Sequence, residues 1–191
     1  MGRALESDLA EGGSDRALNR AVAITVVLLS VFMGLAHIKD DNLVQAMQLA
    51  KSDAVDTWSE YQATRTKLHL VETARLEIAA VAGGQATAAA RAGLAKLDSE
   101  RARYAAEAPT LRAKAQADEA RYDALNVHDD QFDLSDAAIS IALSLAAVAA
   151  LAETRWLLGV GWAAGAFGIV MGVAGFTGAS LHPDLLASWL S

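Results

Sequence analysis

The side chains best equipped for chemistry in this 191-residue chain are its carboxylates and its four histidines. His128, Asp129 and Asp130 stand in a row. An imidazole beside two carboxylates is a donor set that a metal ion accepts, so the three form a candidate metal site. The plainer reading makes them solvated residues where helices meet a membrane. His37, His69, His128 and His182 include no pair four residues apart, so the helical two-histidine metal signature is absent. There is no cysteine, which removes disulfides, thiolate ligands and thiol nucleophiles. A glycine-rich phosphate loop, a Gly-x-Ser-x-Gly elbow and a His-Glu-x-x-His helix are all missing. The formal net charge of −7, with no basic stripe to offset it, argues against nucleic acid. The expectation is a protein that is not an enzyme, with no catalytic residue and no cofactor.

A second cluster lies upstream. Asp56, Trp58, Tyr61 and Gln62 fall within two helical turns. Trp58, Tyr61 and Gln62, at i, i+3 and i+4, share one helix face. That face is an interaction patch with polar handles or, more plainly, a packing knot whose polar atoms find partners.

The third cluster is made of glycine. Gly161, Gly165, Gly168, Gly172 and Gly175 recur at 4-3 spacing toward Ala179, within an apolar run. Glycine costs about 1 kcal/mol relative to alanine inside a helix. In lipid that cost is offset where small residues let another backbone approach. The row therefore predicts a helix-packing seam. Its partner is either the preceding apolar run, through Ser140, Ser144 and Ala147, or the same run of a second copy. The opposite face, with Phe167, Val170, Met171 and Val173, is expected to meet lipid.

These residues need elements to hold them. Three runs are apolar enough to span a membrane. The first covers 21–38, between Arg20 and Lys39. The second covers 136–152, with Phe132 and Leu134 extending it toward the interface. The third covers 156–181. No acid lies inside them beyond the boundary Asp136, so an ion relay has no obvious relay residue. Gly34-Leu35-Ala36 also fits a signal-peptide cleavage site. An uncleaved anchor suits the long apolar run better. Arg3, Arg16 and Arg20 precede the first span, and Arg155 lies in the short turn 153–155. By the positive-inside rule these sites are cytoplasmic, as is the 1–20 tail. Residues 39–135 and the 182–191 interfacial tail then lie outside, or in the periplasm of a Gram-negative cell.

The segment 39–135 reads as two helices reversing at Gly83-Gly84. In the second half, Ala90, Leu94, Leu97, Arg101, Tyr104, Ala108, Leu111, Ala115, Asp118, Tyr122 and Leu125 keep strict 4-3 spacing. That is a coiled-coil stripe. In the first half, Leu43, Met47, Ala50, Ala54, Trp58 and Tyr61 form a stripe with one stretched step. "TRTK" interrupts it before Val71, Ala74, Ile78 and Val81 resume. Folding about the glycines sets Trp58 near Pro109 and Asp118 near Lys51, and offers Arg101 no acidic partner. Pro109 is expected to kink or break its helix. The stripes serve pairing within one chain or between copies equally well.

The stretch "SDAVDTWSEYQATR", residues 52–65, resembles DUF4337, a bacterial family of small membrane proteins of unknown function. The motif Asp-x-Trp-x-x-Tyr-Gln-Ala falls on Asp56, Trp58, Tyr61, Gln62 and Ala63. The approach to the second run, "RYDALNVHDDQFDLSDAAISIALSLAAVAAL", is also similar. The resemblance covers most of the chain from the first span onward and implies architecture, not activity.

The fold predicted is an all-α integral membrane protein. Three transmembrane helices carry a long extramembranous antiparallel helical hairpin between the first and second. The function predicted is a non-catalytic scaffold or accessory subunit of the bacterial inner membrane. It is expected to be a homo-oligomer, or part of a larger membrane complex, joined through the glycine-rich span and the hairpin. The alternatives are an oligomeric channel with acidic rings near Asp133 and Asp136, and a metal-binding module or enzyme.

Overall fold

The computed structural model describes residues 2–82, 87–179 and 181, with side chains from residue 16 onward. It is all-helical: α1 is Gly2–Ala82, α2 is Ala88–Leu151 and α3 is Arg155–Thr177. Among the described residues there is no strand. Each helix contains a stretch long and apolar enough to cross a membrane. The reversal expected at Gly83-Gly84, the tail 182–191 with His182, and the Arg3 side chain lie outside the described residues.

Local chemistry sets the helix ends. Thr87 caps α2, its Oγ1 accepting from the Ala90 backbone N–H at 3.2 Å. That satisfies one of the donors a helix start leaves open. Between α2 and α3 the chain turns over three residues, with Glu153 at φ 52°. Gly178 ends α3 at φ 70°, and its N–H bonds the Ala174 carbonyl. A left-handed residue at this position favours glycine. The third apolar run is therefore helical only to Thr177, four residues short of its apolar end at Leu181. Pro109 does not break α2, which runs through it without interruption. The proline forfeits one bond to the Ala105 carbonyl, but helices in proteins are held mainly by packing. Its neighbour Ala108 is buried.

The chain divides into two compact units, residues 1–46 with 124–191, and residues 47–123. The first contains all of α3 and parts of α1 and α2. Among the described residues its core has two clusters. Leu18, Val22, Ala146, Ala149 and Leu158 form one, and Leu29, Ile139 and Ala142 the other. Phe176 closes the far end, edge-on to Phe132 at 5.4 Å and to Phe32 at 6.3 Å between ring centroids.

In the second unit, α1 and α2 residues meet in opposite sequence order. Lys51 Nζ lies over Tyr122, and Lys67 Nζ over Tyr104. Thr57 Oγ1 donates to Asp118 Oδ2, and Trp58 Nε1 to Glu119 Oε1. Arg101 pairs with Glu72, and Arg75 with Asp98. These partners sit between about one and three helical turns further along α2 than a fold at Gly83-Gly84 gives. Trp58 thus meets Glu119 instead of Pro109. Asp118 meets Thr57 instead of Lys51, and Arg101 does have an acidic partner. The buried row on α1 is also cleaner than expected. Met47, Ala50, Ala54, Thr57, Thr64 and Val71 are buried, with Tyr61 and Leu68 half-buried between them. Thr57 and Thr64 carry the 3-4 spacing through the supposed gap, so "TRTK" does not interrupt it.

Candidate functional site

The glycine row is closely fitted by its neighbours. All five glycines are buried. A Cβ built on Gly161 would lie 3.2 Å from the Ala142 carbonyl. On Gly168 it would lie 2.8 Å from Ile139 Cγ1 and 3.0 Å from the Ser135 carbonyl. On Gly165 it would meet Leu29 Cδ1 at 3.1 Å, and on Gly172 the Phe32 ring at 2.7 Å. On Gly175 it would meet the Phe132 ring at 2.9 Å. These neighbours belong to α2 and α1 of the same chain. Ser140, Ser144 and Ala147 are exposed, and the α2 face that meets the glycines carries Ser135, Ile139 and Ala142 instead. Met171, placed on the lipid face by sequence pattern, is buried, whereas Phe167, Val170 and Val173 are exposed. Packing against two helices widens the buried arc of α3 beyond one row.

Gln131 is a residue that sequence reasoning missed. It is wholly buried, and its Nε2 donates at 2.7 Å to the carbonyls of both Ala179 and Leu181. These carbonyls follow the end of α3, where no helical donor remains. A glutamine among aspartates gives little signal in the sequence. Trp162 Nε1 makes a second link between helices, donating to Thr25 Oγ1 at 2.9 Å.

The motif residues divide. Trp58 and Tyr61 stack edge to face at 5.5 Å, with Trp58 tied to Glu119. The Tyr61 hydroxyl accepts from Arg65 Nη1. Asp56 and Gln62 are exposed.

His128, Asp129 and Asp130 do not converge. His128 Nδ1 faces Gln131 Oε1 at 3.1 Å, and Asn126 Nδ2 donates to Asp130. Asp129 shares a hydrogen bond with Asp40. Among the described residues, no three His, Asp or Glu side chains are placed to grip a metal ion directly.

What does converge is acid from two helices. Asp40 of α1 and Asp129, Asp133 and Asp136 of α2 gather at the boundary of the apolar runs. Burial first, then repulsion from Asp133, Asp40 and Asp130, pushes the Asp129 carboxyl up to about 6. Burial and Asp133 raise Asp40, which His37 partly opposes, and burial with Asp130 and Asp136 raises Asp133. From sequence, Asp129 reads as a solvated or metal-binding residue and Asp133 and Asp136 as acidic rings of a channel; the gathering with Asp40 is not legible there. Beside them lies a cavity of about 220 Å³ lined by Met33, Ala36, His37, Asp40, Phe132, Asp133, Ser135 and Asp136.

Comparison with known proteins adds one finding. A family model described as Domain of unknown function (DUF4337) matches residues 18–178. No curated protein and no solved structure matches the chain.

Proposed function

Because the chain belongs to the DUF4337 family, whose description states no activity, we propose a function from its surfaces: a non-catalytic membrane scaffold or accessory subunit. Three spans anchor it, and residues 47–123 form a coiled-coil-like hairpin outside the bilayer that engages a second copy or a partner protein. One observation carries this reading. In that segment the buried rows of α1 and α2 account for one face of each helix. Yet Leu49, Val55, Leu70, Leu76 and Val81 of α1 remain between 58% and 89% exposed. These bare apolar side chains along one helix support a surface that another molecule covers.

The glycine row supports a different part of the proposal than its composition suggests. It is filled within the chain, so it assembles the anchor and leaves partner binding to other surfaces. The acidic residues gather around a cavity inside one chain, which favours the scaffold over a pore lined by acidic rings from several copies.

We further propose an inner-membrane orientation with the N-terminus cytoplasmic, supported by Arg16, Arg20 and Arg155 at one end of the spans and the aspartates at the other. The chain has no cysteine, so single cysteines introduced at residues 70 and 153 report their sides cleanly. An impermeant thiol reagent applied to intact spheroplasts should label residue 70 and spare residue 153. The reverse pattern would overturn the orientation.

A further inference from the structure

A groove of about 380 Å³ lies between α1 and α2 within the second unit. Arg65 of α1 and Arg112 of α2 both line it. Arginines elsewhere between these helices are paired, Arg75 with Asp98 and Arg101 with Glu72. Arg65 and Arg112 are not: among the described residues neither has a carboxylate partner. Nor does any Asp or Glu stand three or four residues from either along its helix, where a pairing acid would lie. Yet the chain has 23 acidic residues against 16 basic ones, so acids are not scarce. Glu72 is the one acid lining the groove, and it is already engaged by Arg101 at 3.4 Å and by His69 Nδ1 at 3.5 Å. Arg65 is oriented from its own helix. Its Nη1 donates to the Tyr61 hydroxyl at 3.2 Å, and its Nη2 lies 3.5 Å from His69 Nε2. Tyr61, a residue of the Asp-x-Trp-x-x-Tyr-Gln-Ala motif, thus holds an arginine at the groove.

A guanidinium keeps its charge at every accessible pH, and its planar fork matches carboxylate and phosphate oxygens. The groove also offers an acceptor. Pro109 has no N–H to give the Ala105 carbonyl, and both residues line the groove. A helical carbonyl points toward the residue four positions on, so this one lies along the groove wall. The volume falls within that of small-molecule sites, roughly 300–1,000 Å³. We propose that this groove binds a small organic oxyanion, a carboxylate or phosphate ester that also carries a hydroxyl. Arg65 and Arg112 hold the anionic group, the Ala105 carbonyl accepts from the hydroxyl, and Leu68 and Pro109 form apolar walls. The proposal is independent of the scaffold reading, and its test uses no partner.

The test is calorimetric titration of the full chain in nanodiscs of zwitterionic lipid. The probes are glycerol 3-phosphate, glycerate and inorganic phosphate, with NaCl at matched ionic strength as the comparison. Binding of at least one hydroxylated probe should saturate at one molecule per chain, and the tighter of the two assigns the anion as phosphate ester or carboxylate. Arg65→Gln and Arg112→Gln should each weaken it by about 10-fold or more, as expected for loss of a hydrogen bond to a charged group. Arg65→Lys keeps the charge but not the fork and should also weaken it. Arg121→Gln, at an exposed position outside the groove, should leave it unchanged. Glycerol 3-phosphate should bind more tightly than inorganic phosphate. Pro109→Ala, which returns a donor to the Ala105 carbonyl, should narrow that gap. Circular dichroism without probe reads the fold separately, and the arginine variants should retain the wild-type spectrum because both side chains are exposed. Heats no larger than those of NaCl for all three probes would overturn the site. Wild-type affinity in both glutamine variants would overturn it too, and so would equal weakening by Arg121→Gln, which would reduce the effect to net charge.

Discussion

Adding one methyl group at Gly168 should separate the packing role of the glycine row from its effect on helix propensity. A Cβ there would stand 2.8 Å from Ile139 Cγ1, 3.0 Å from the Ser135 carbonyl and 3.2 Å from the Ile139 backbone nitrogen. Two of these three atoms are backbone, so α2 itself must shift. Overpacking of this kind costs about 1–3 kcal/mol. Against it stands the gain of about 1 kcal/mol from replacing a helical glycine by alanine. Gly159→Ala provides the reference, because Gly159 lies in the same helix with nothing within 4 Å of its added Cβ. The propensity gain is common to both variants, so their difference isolates the contact: Gly168→Ala should be about 1–3 kcal/mol less stable than Gly159→Ala. Unfolding by SDS in mixed micelles, followed by the fluorescence of Trp156 and Trp162, measures it. Gly168→Leu should abolish folded yield. If Gly168→Ala proves as stable as Gly159→Ala, the close approach of α3 to α2 is wrong.

Other consequences follow from single contacts. Gln131→Ala removes donors from two carbonyls at the end of α3 and should cost about 2 kcal/mol in the same assay, at about 1 kcal/mol per bond. Pro109→Ala restores a helical hydrogen bond at an exposed position. It should raise the thermal midpoint seen by circular dichroism, with up to about 3 kcal/mol available. Asp40, Asp129 and Asp133 have carboxyls raised in the folded state, so that state holds protons more tightly than the unfolded chain does. Their contribution is complete below the unfolded value of 3.8 and is lost as pH rises through the folded one, about 6 for Asp129. The protein should therefore unfold more readily at pH 7.5 than at pH 5. Asp129→Asn should flatten that dependence, and an unchanged profile would count against the shared burial of these acids.

Much of the architecture is legible from residue spacing. Three apolar runs, a glycine row at 4-3 spacing and a heptad stripe in α2 each state a period, and period determines which face is buried. The register between α1 and α2 is less legible. It depends on where the chain reverses, and a glycine pair marks a permissive site without stating how many residues the turn consumes. Thr57 and Thr64 hid the α1 stripe because threonine reads as polar, although its methyl packs and its hydroxyl finds Asp118. Pro109 is a strong local signal that does not end its helix, since packing rather than local propensity holds α2 together across it. The acidic cavity left no spacing signal at all. Asp40 lies far in sequence from Asp133 and Asp136, and only helix packing makes them neighbours. Met171 and the Ser140–Ser144 face were misplaced for a related reason: a pattern on one helix shows which side is buried, not how many neighbours share it.

The scaffold proposal makes the exposed apolar residues of α1 between 47 and 82 a docking surface outside the bilayer. The most direct measurement is photo-crosslinking in native membranes from a probe placed singly at residues 49, 70 and 76, with a probe at the exposed Asp53 as the reference. Discrete crosslinked species are expected from the apolar positions, containing either a second copy of the chain or one recurring membrane protein. Each should be absent or much weaker from residue 53. Uncrosslinked monomer at every apolar position, with the protein shown to be inserted and folded, would contradict it.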